Sequence, residues 1–131
     1  MKRLDARELG RRGERRAAWF YRLRGYRILE RNLRLHAGEI DLVVRRGKTV
    51  AIVEVKTRQS TAAGEGFEAV GRVKRERLVW LAEEYAARHP EAMLRFDVLS
   101  LRWTGWRFVV TCFADAFRPV ADAQKPWLWR A

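Results

Sequence analysis

The stretch GEIDLVVRRGKTVAIVEVKTR, Gly38–Arg58, decides the fold. Its two apolar runs, Glu39–Arg46 and Thr49–Lys56, suit two β-strands. The Gly47-Lys48 pair between them fits a two-residue type II′ hairpin turn, whose first central residue needs a positive φ. The second run is apolar on both faces through Val50, Ala51, Ile52 and Val53, as expected of a central strand. With Gly47 and Lys48 as the loop, facing residues carry numbers that sum to 95, so Asp41 faces Glu54. Residues opposed across an antiparallel pair have Cβ atoms about 5 Å apart on one face. Lys56 lies two residues beyond Glu54 and points the same way, and alternation sends Glu39 to the face of Asp41. The hairpin therefore predicts two carboxylates and an ammonium gathered on one face.

Like charges directly opposite each other destabilise a sheet, and a divalent cation compensates them. Oxygen ligands suit Mg²⁺ or Mn²⁺, which keep several waters and accept substrate phosphate oxygens as well. The ligand set read here is Asp41, Glu54 and the backbone carbonyl of Val55. A water activated there, beside Lys56, can attack a phosphodiester. The competing reading is a surface ion pair of Glu54 with Lys56 on an edge strand. The apolar character of Thr49–Val55 argues against an edge, and charges closing a buried strand need partners or a task.

Working outward, residues from about Asp5 to Arg24 read as a helix. Leu9, Gly13, Ala17, Phe20, Tyr21 and Leu23 form its apolar stripe, and Gly25 is its stop. Glu14 falls at the edge of the stripe, where it can bind the cation directly or through water. The alternative is a surface pair with Arg11. Tyr26–Leu35 suits a first strand. Phe67–Arg88 suits a second helix, with Val70, Val73, Leu78, Leu81 and Tyr85 on one face and Pro90 after its end. Lys74 sits on the Val70–Leu78 side, oddly placed for a solvated lysine, and is a candidate to point at the acidic cluster. Arg95–Trp103 and Trp106–Phe113 form a last hairpin around Thr104-Gly105. Asp97, early in that hairpin, caps a turn, pairs with Arg95 or supports the site. For Trp103 and Trp106, cross-strand packing is favoured over base stacking. The order is α-β-β-β-α-β-β, an α/β fold. Residues 1–117 form one domain, and residues 118–131, with no core pattern, form a C-terminal tail.

Composition points to the partner. The chain has 131 residues and a net charge of +12, with 23 Arg against 5 Lys. Residues 1–34 hold 12 basic and 4 acidic side chains, so most of the excess sits in the first quarter. That charge suits a polyanion, most simply nucleic acid. Arg11, Arg12 and Arg15 on the first helix, and Arg58 after the third strand, are the expected phosphate contacts. One Cys and two His exclude an internal disulfide and a Cys/His zinc site. The N-terminus has no apolar leader, and no apolar run approaches the roughly 20 residues that span a bilayer. A cytoplasmic protein with no membrane partner is expected.

The segments Gly10–Arg34, GEIDLVV, IVEVKTR and RFDVL (Arg95–Leu99) resemble the YraN-like family of bacterial proteins. That family is similar to the restriction-endonuclease-like superfamily of PD-(D/E)xK nucleases, including Holliday-junction resolvases. The resemblance covers about residues 8–117. It implies an αβββαβ core, a central mixed β-sheet flanked by helices, with an extra C-terminal strand here. It implies Asp41 as the motif's first acid, Glu54 as the second, Lys56 as its lysine and Glu14 as the acid of the first helix. Lys74 fits a second-helix position that some members use. Ile40 stands where the motif has proline, which shapes a turn rather than binding metal. The leading expectation is a Mg²⁺- or Mn²⁺-dependent endonuclease acting on DNA, branched or structured DNA included. A homodimer would suit a two-fold junction. The rivals are a non-catalytic nucleic-acid clamp and a protein-interaction module on the same fold.

Overall fold

Asp5 opens the first helix by accepting the Glu8 N–H at 2.8 Å, an N-cap that satisfies one of the helix's unpaired donors. A computed structural model describes residues 3–59 and 72–117, with the backbone alone for residues 72–75 and 115–117. The elements run α1 (Ala6–Arg22), β1 (Arg27–Leu35), β2 (Gly38–Arg46), β3 (Thr49–Gln59), α2 (Arg72–Arg88), β4 (Met93–Trp103) and β5 (Phe108–Phe117). This is the expected order. The beginning of the expected second helix, including Val70, lies outside the described residues, as does the expected tail 118–131.

The five strands lie in one mixed sheet in the order β1-β2-β3-β4-β5. Only β3 and β4 run parallel among these neighbours, and α2 provides the crossover that parallel strands require. α1 covers one face, where Ala17, Phe20 and Tyr21 pack on Leu42, Val44, Ala51, Val53, Leu99 and Leu101. α2 covers the other, where Leu78, Leu81 and Tyr85 pack on Ile40, Val43, Val50, Ile52, Phe96 and Val98. β3 is central and buried on both faces, as its continuous apolar run requires. The architecture is therefore α/β.

The apolar stripe of α1 is as expected except at Leu23, which is exposed. Leu23 keeps helical φ/ψ as the C-cap, but on the 100° wheel it lies at the edge of the stripe, beyond the last residues that reach the core. Gly25 follows at φ +85°, the left-handed stop. Gly47 has φ +62° while Lys48 stays out of the left-handed region, which fits the type II′ turn. The β4–β5 connection differs from expectation: four residues, 104–107, replace the Thr104-Gly105 pair. Thr104 closes it, its N–H and hydroxyl both donating to the Arg107 carbonyl at 2.9 and 3.1 Å. The β1–β2 turn is tied to α2, because the His36 and Ala37 N–H groups donate to Glu84 at 3.1 and 3.3 Å. The His36 bond is the main cause that holds the Glu84 carboxyl below its ordinary value.

Gly13 sets how closely α1 approaches β3. A Cβ there would overlap the Thr57 Cγ2 methyl and come within 3.6 Å of Leu101. Gly13→Ala is expected to cost about 1–3 kcal/mol of stability, the usual range for overpacking. Thr57→Ser, which removes the obstructing methyl, should restore most of the loss in the double variant. Denaturant unfolding of the two single variants and the double variant checks this.

Candidate active site

β1 and β2 pair with one register shift, between Ile28 and Glu30, and further along the ladder is interrupted without a change of register. Arg31 pairs with Leu42 and Leu33 with Ile40, while Asn32 and Asp41 between them are passed over. Asn32 has φ +50°, a left-handed conformation that asparagine enters more readily than most side chains. Its consequence is visible in the packing. Leu42 belongs to the core under α1, yet Ile40, two residues earlier, belongs to the core under α2. Residues two apart on a regular strand share a face. β2 therefore turns over at Asp41.

The β2–β3 ladder keeps the expected register, with pairs summing to 95 from Arg46↔Thr49 to Leu42↔Val53. Among the described pairs it closes there, one step short of Asp41 and Glu54. The two strands fork, and Asp41 sits in the fork. Its Oδ2 accepts the Val55 N–H at 2.8 Å. A strand residue sends its N–H and C=O to the same edge. The Val55 carbonyl therefore also faces the fork.

Glu54 and Lys56 flank Val55. On β3, Ala51, Val53 and Val55 pack toward α1, and Val50 and Ile52 toward α2. By alternation Glu54, Lys56 and Arg58 continue the α2 face. Lys56 Nζ lies 3.5 Å from Glu54 Oε1, with the Glu54 side chain 12% exposed and that of Lys56 32%. The expected direct cross-strand pair of Asp41 and Glu54 on one face is thus corrected. The reversal at Asp41 lets its carboxylate reach across the gap between strands, while Glu54 and Lys56 stand on a face of β3.

Glu14 is exposed and lines a narrow cleft with Ala17, Arg31, Asn32, Asp41 and Val55. Arg11 is not its partner. Arg11 and Arg12 both pair with Glu8, Arg12 Nε at 2.7 Å, and the Arg12 hydrogen bond is the main cause that lowers the Glu8 carboxyl. Among the described residues no three His, Cys, Asp or Glu side chains form a group able to hold a metal. Glu14, Asp41 and Glu54 are therefore not a three-carboxylate cage; Glu14 shares only the cleft lining with Asp41. The oxygen donors here are the Asp41 carboxylate and the Val55 carbonyl in the fork, with the Glu54 carboxylate on the next residue of β3. That set fits a hard cation of the Mg²⁺ type, which keeps several waters.

The other expected residues are dispersed. Glu39 is exposed and meets Arg34 of β1 at 3.5 Å. The turnover at Asp41 removes the regular alternation that put the two acids on one face. Asp97 is buried on the α1 face of β4, beside Val53 in the parallel ladder. Arg95 grips it through Nε at 2.9 Å and Nη2 at 2.8 Å, and the Tyr21 hydroxyl donates to it at 2.8 Å. Its place is in the core, opposite the face of Glu54. Lys74 lies outside the described side chains. Arg11 and Arg15 are exposed, Arg58 is half-buried, and Arg12 lies over the Trp103 ring at 5.6 Å. Sequence reasoning missed Asn32 altogether. Its signal was a polar residue inside a strand, in register with the candidate acid.

The family model described as "Uncharacterised protein family UPF0102" matches residues 13–101, a span that holds Glu14, Asp41, Glu54 and Lys56. The chain belongs to the UPF0102 family. This is the YraN-like family that the sequence resembles. A UPF0102 protein of Anaeromyxobacter sp. (strain Fw109-5) is 41% identical over 128 residues, 95% of this chain and 93% of the relative. One from Nocardia farcinica is 44% identical over 126 residues, 92% of this chain and 89% of the relative. One from Clavibacter michiganensis is 45% identical over 98 residues, 73% of this chain and 83% of the relative. Among solved structures, Pyrococcus furiosus SfsA in complex with Ca²⁺ is similar at 16% identity and a TM-score of 0.38. That match covers 84% of this chain and 63% of SfsA, so the chain spans less than two thirds of that protein. Among the described residues of this UPF0102 chain, no helix is long and apolar enough to cross a membrane.

Proposed function

We propose that this UPF0102 protein is a Mg²⁺- or Mn²⁺-dependent endonuclease that hydrolyses DNA phosphodiester bonds. The observation that carries the reading is the fork, where Asp41 bonds the Val55 N–H while Glu54 and Lys56 flank the same residue. A strand end that serves only packing has no use for an acid and an ammonium on either side of Val55, with a second acid reaching that residue from β2. The net charge of +12 and the arginines of α1 add the means to hold a polyanion.

Asp41, Glu54 and the Val55 carbonyl would hold the cation. When bound, it supplies positive charge to a scissile phosphate and makes a nearby water more acidic. Asp41 is fixed by its bond to β3. Lys56 places an ammonium beside the phosphate, where it offsets charge that builds on the non-bridging oxygens as water adds to phosphorus. The bond to the leaving sugar oxygen then breaks, and that oxygen takes a proton. Glu14 orients water from the α1 side of the cleft. Arg11 and Arg58 contact flanking phosphates. These contacts carry no base readout, so binding is salt dependent and indifferent to sequence.

The test incubates the purified protein with linear, nicked, flapped and four-way-junction DNA and with single-stranded RNA, each with Mg²⁺, Mn²⁺ or EDTA. Cleavage of at least one DNA that needs the cation supports the reading. Tight DNA binding with no cleavage on any substrate replaces it with a clamp.

A further inference from the structure

A second surface, away from the fork, combines positive charge with exposed aromatic rings. A cleft between α1 and the β4–β5 turn is lined by Arg12, Arg15, Arg16, Trp19, Trp106 and Arg107. Glu8 also lines it, but Arg11 and Arg12 already hold that carboxylate. The lining therefore carries four arginines against one acid. Trp106 is 79% exposed and Trp19 50%, two large apolar rings left on one open surface. Trp106 stands on the turn that Thr104 closes, with its own N–H 3.4 Å from Thr104 Oγ1. Arg22 lies over the Trp19 ring at 5.5 Å. Trp103, by contrast, is buried edge-on against Phe108 at 5.1 Å and forms the floor. Cross-strand packing thus accounts for Trp103 but not for Trp106.

We infer that this cleft seats an unpaired DNA strand, with Trp106 and Trp19 stacking on bases and the arginines tracking the phosphates. Exposed flat rings beside guanidinium groups match single strands, whose bases offer their faces, better than a duplex, whose bases are already stacked. The choice of DNA rests on the proposed function above; the stacking site does not. On a helical wheel Arg12, Arg15, Arg16 and Trp19 centre about 150° from Glu14. The cleft therefore lies on the other flank of α1 from the fork. It makes the preferred substrate one with a single-stranded arm, and it acts on binding rather than on the chemical step.

The test measures binding of a fluorescein-labelled 12-nucleotide oligothymidylate by anisotropy, with quenching of tryptophan fluorescence, in EDTA so that no cleavage occurs. Blunt duplex DNA and RNA of the same length are the comparisons. The single-stranded DNA should bind more tightly than either. Trp106→Ala should weaken it about tenfold, and Trp106→Phe, which keeps a ring, should recover most of that. Arg15→Ala with Arg16→Ala should lower the slope of log affinity against log salt by about 1 to 1.5. Unchanged affinity and quenching in Trp106→Ala, or tighter binding of the duplex or the RNA, would overturn the inference. Cation-dependent cleavage of a DNA lacking any single-stranded arm would leave the nuclease reading intact in that event. Loss of cleavage with this binding retained would sink the nuclease reading alone.

Discussion

Asp97→Ala is expected to lower folding stability by about 3 kcal/mol, within the range for breaking a buried ion pair from one side. The Asp97 side chain is fully buried, while that of its partner Arg95 is 22% exposed, which places the loss toward the lower end. The carboxylate takes two bonds from Arg95 and one from Tyr21, and Arg95 also donates to the Tyr26 hydroxyl at 2.9 Å. Removing it strands a guanidinium and a buried phenol together. Burial, with Asp97 alongside, raises the Tyr21 phenol well above its ordinary value, and the Asp97 bond is the main cause that raises Arg95. Asp97→Asn keeps an acceptor for Tyr21 and should cost less. Tyr21→Phe should cost about 1 kcal/mol. Guanidinium unfolding curves check all three, and an Asp97→Ala midpoint equal to that of the wild type would contradict the network's role. Because Tyr21 belongs to α1, the network also fixes the helix that carries Glu14 and the arginines.

Glu54→Ala and Asp41→Asn are each expected to reduce cation-dependent DNA cleavage by on the order of 10³-fold while the fold remains intact. Asp41→Asn is the more informative. The amide oxygen of asparagine can still accept the Val55 N–H, so the fork keeps its shape and loses only charge. Lys56→Ala should lower cleavage to a similar degree but leave cation affinity near that of the wild type, since the ammonium is not a ligand. Circular dichroism establishes folding and a supercoiled-plasmid assay reads the rate. Cleavage that survives Glu54→Ala and Lys56→Ala comes from a contaminant, and the site assignment then fails.

The hairpin was legible because its rules are local. Gly47-Lys48 fixes the turn, and the turn fixes the register as far as Leu42↔Val53, one step from Asp41 and Glu54. The two helices and five strands followed from apolar periodicity for the same reason. What escaped depends on contacts between distant segments. The turnover at Asp41 needs the left-handed Asn32 on the neighbouring strand, and period-two alternation has no means of announcing it. Glu14 and Glu8 compete for the same arginines, and spacing alone does not choose between i+3 and i+4 partners from different carboxylates. Asp97 read as an open question because its partners include Tyr21, 76 residues away. The exposure of Trp106 follows from the four-residue turn, where the sequence suggested two.

The central claim is that the fork between β2 and β3 holds a divalent cation. The most direct measurement is the anomalous difference density of crystals soaked in Mn²⁺, for the wild type and for Glu54→Gln. The account predicts a manganese peak within roughly 2.0–2.3 Å of a carboxylate oxygen of Asp41, one of Glu54 and the Val55 carbonyl oxygen, lost in Glu54→Gln. Manganese bound only elsewhere, or a fork peak that persists undiminished without the Glu54 charge, would contradict it.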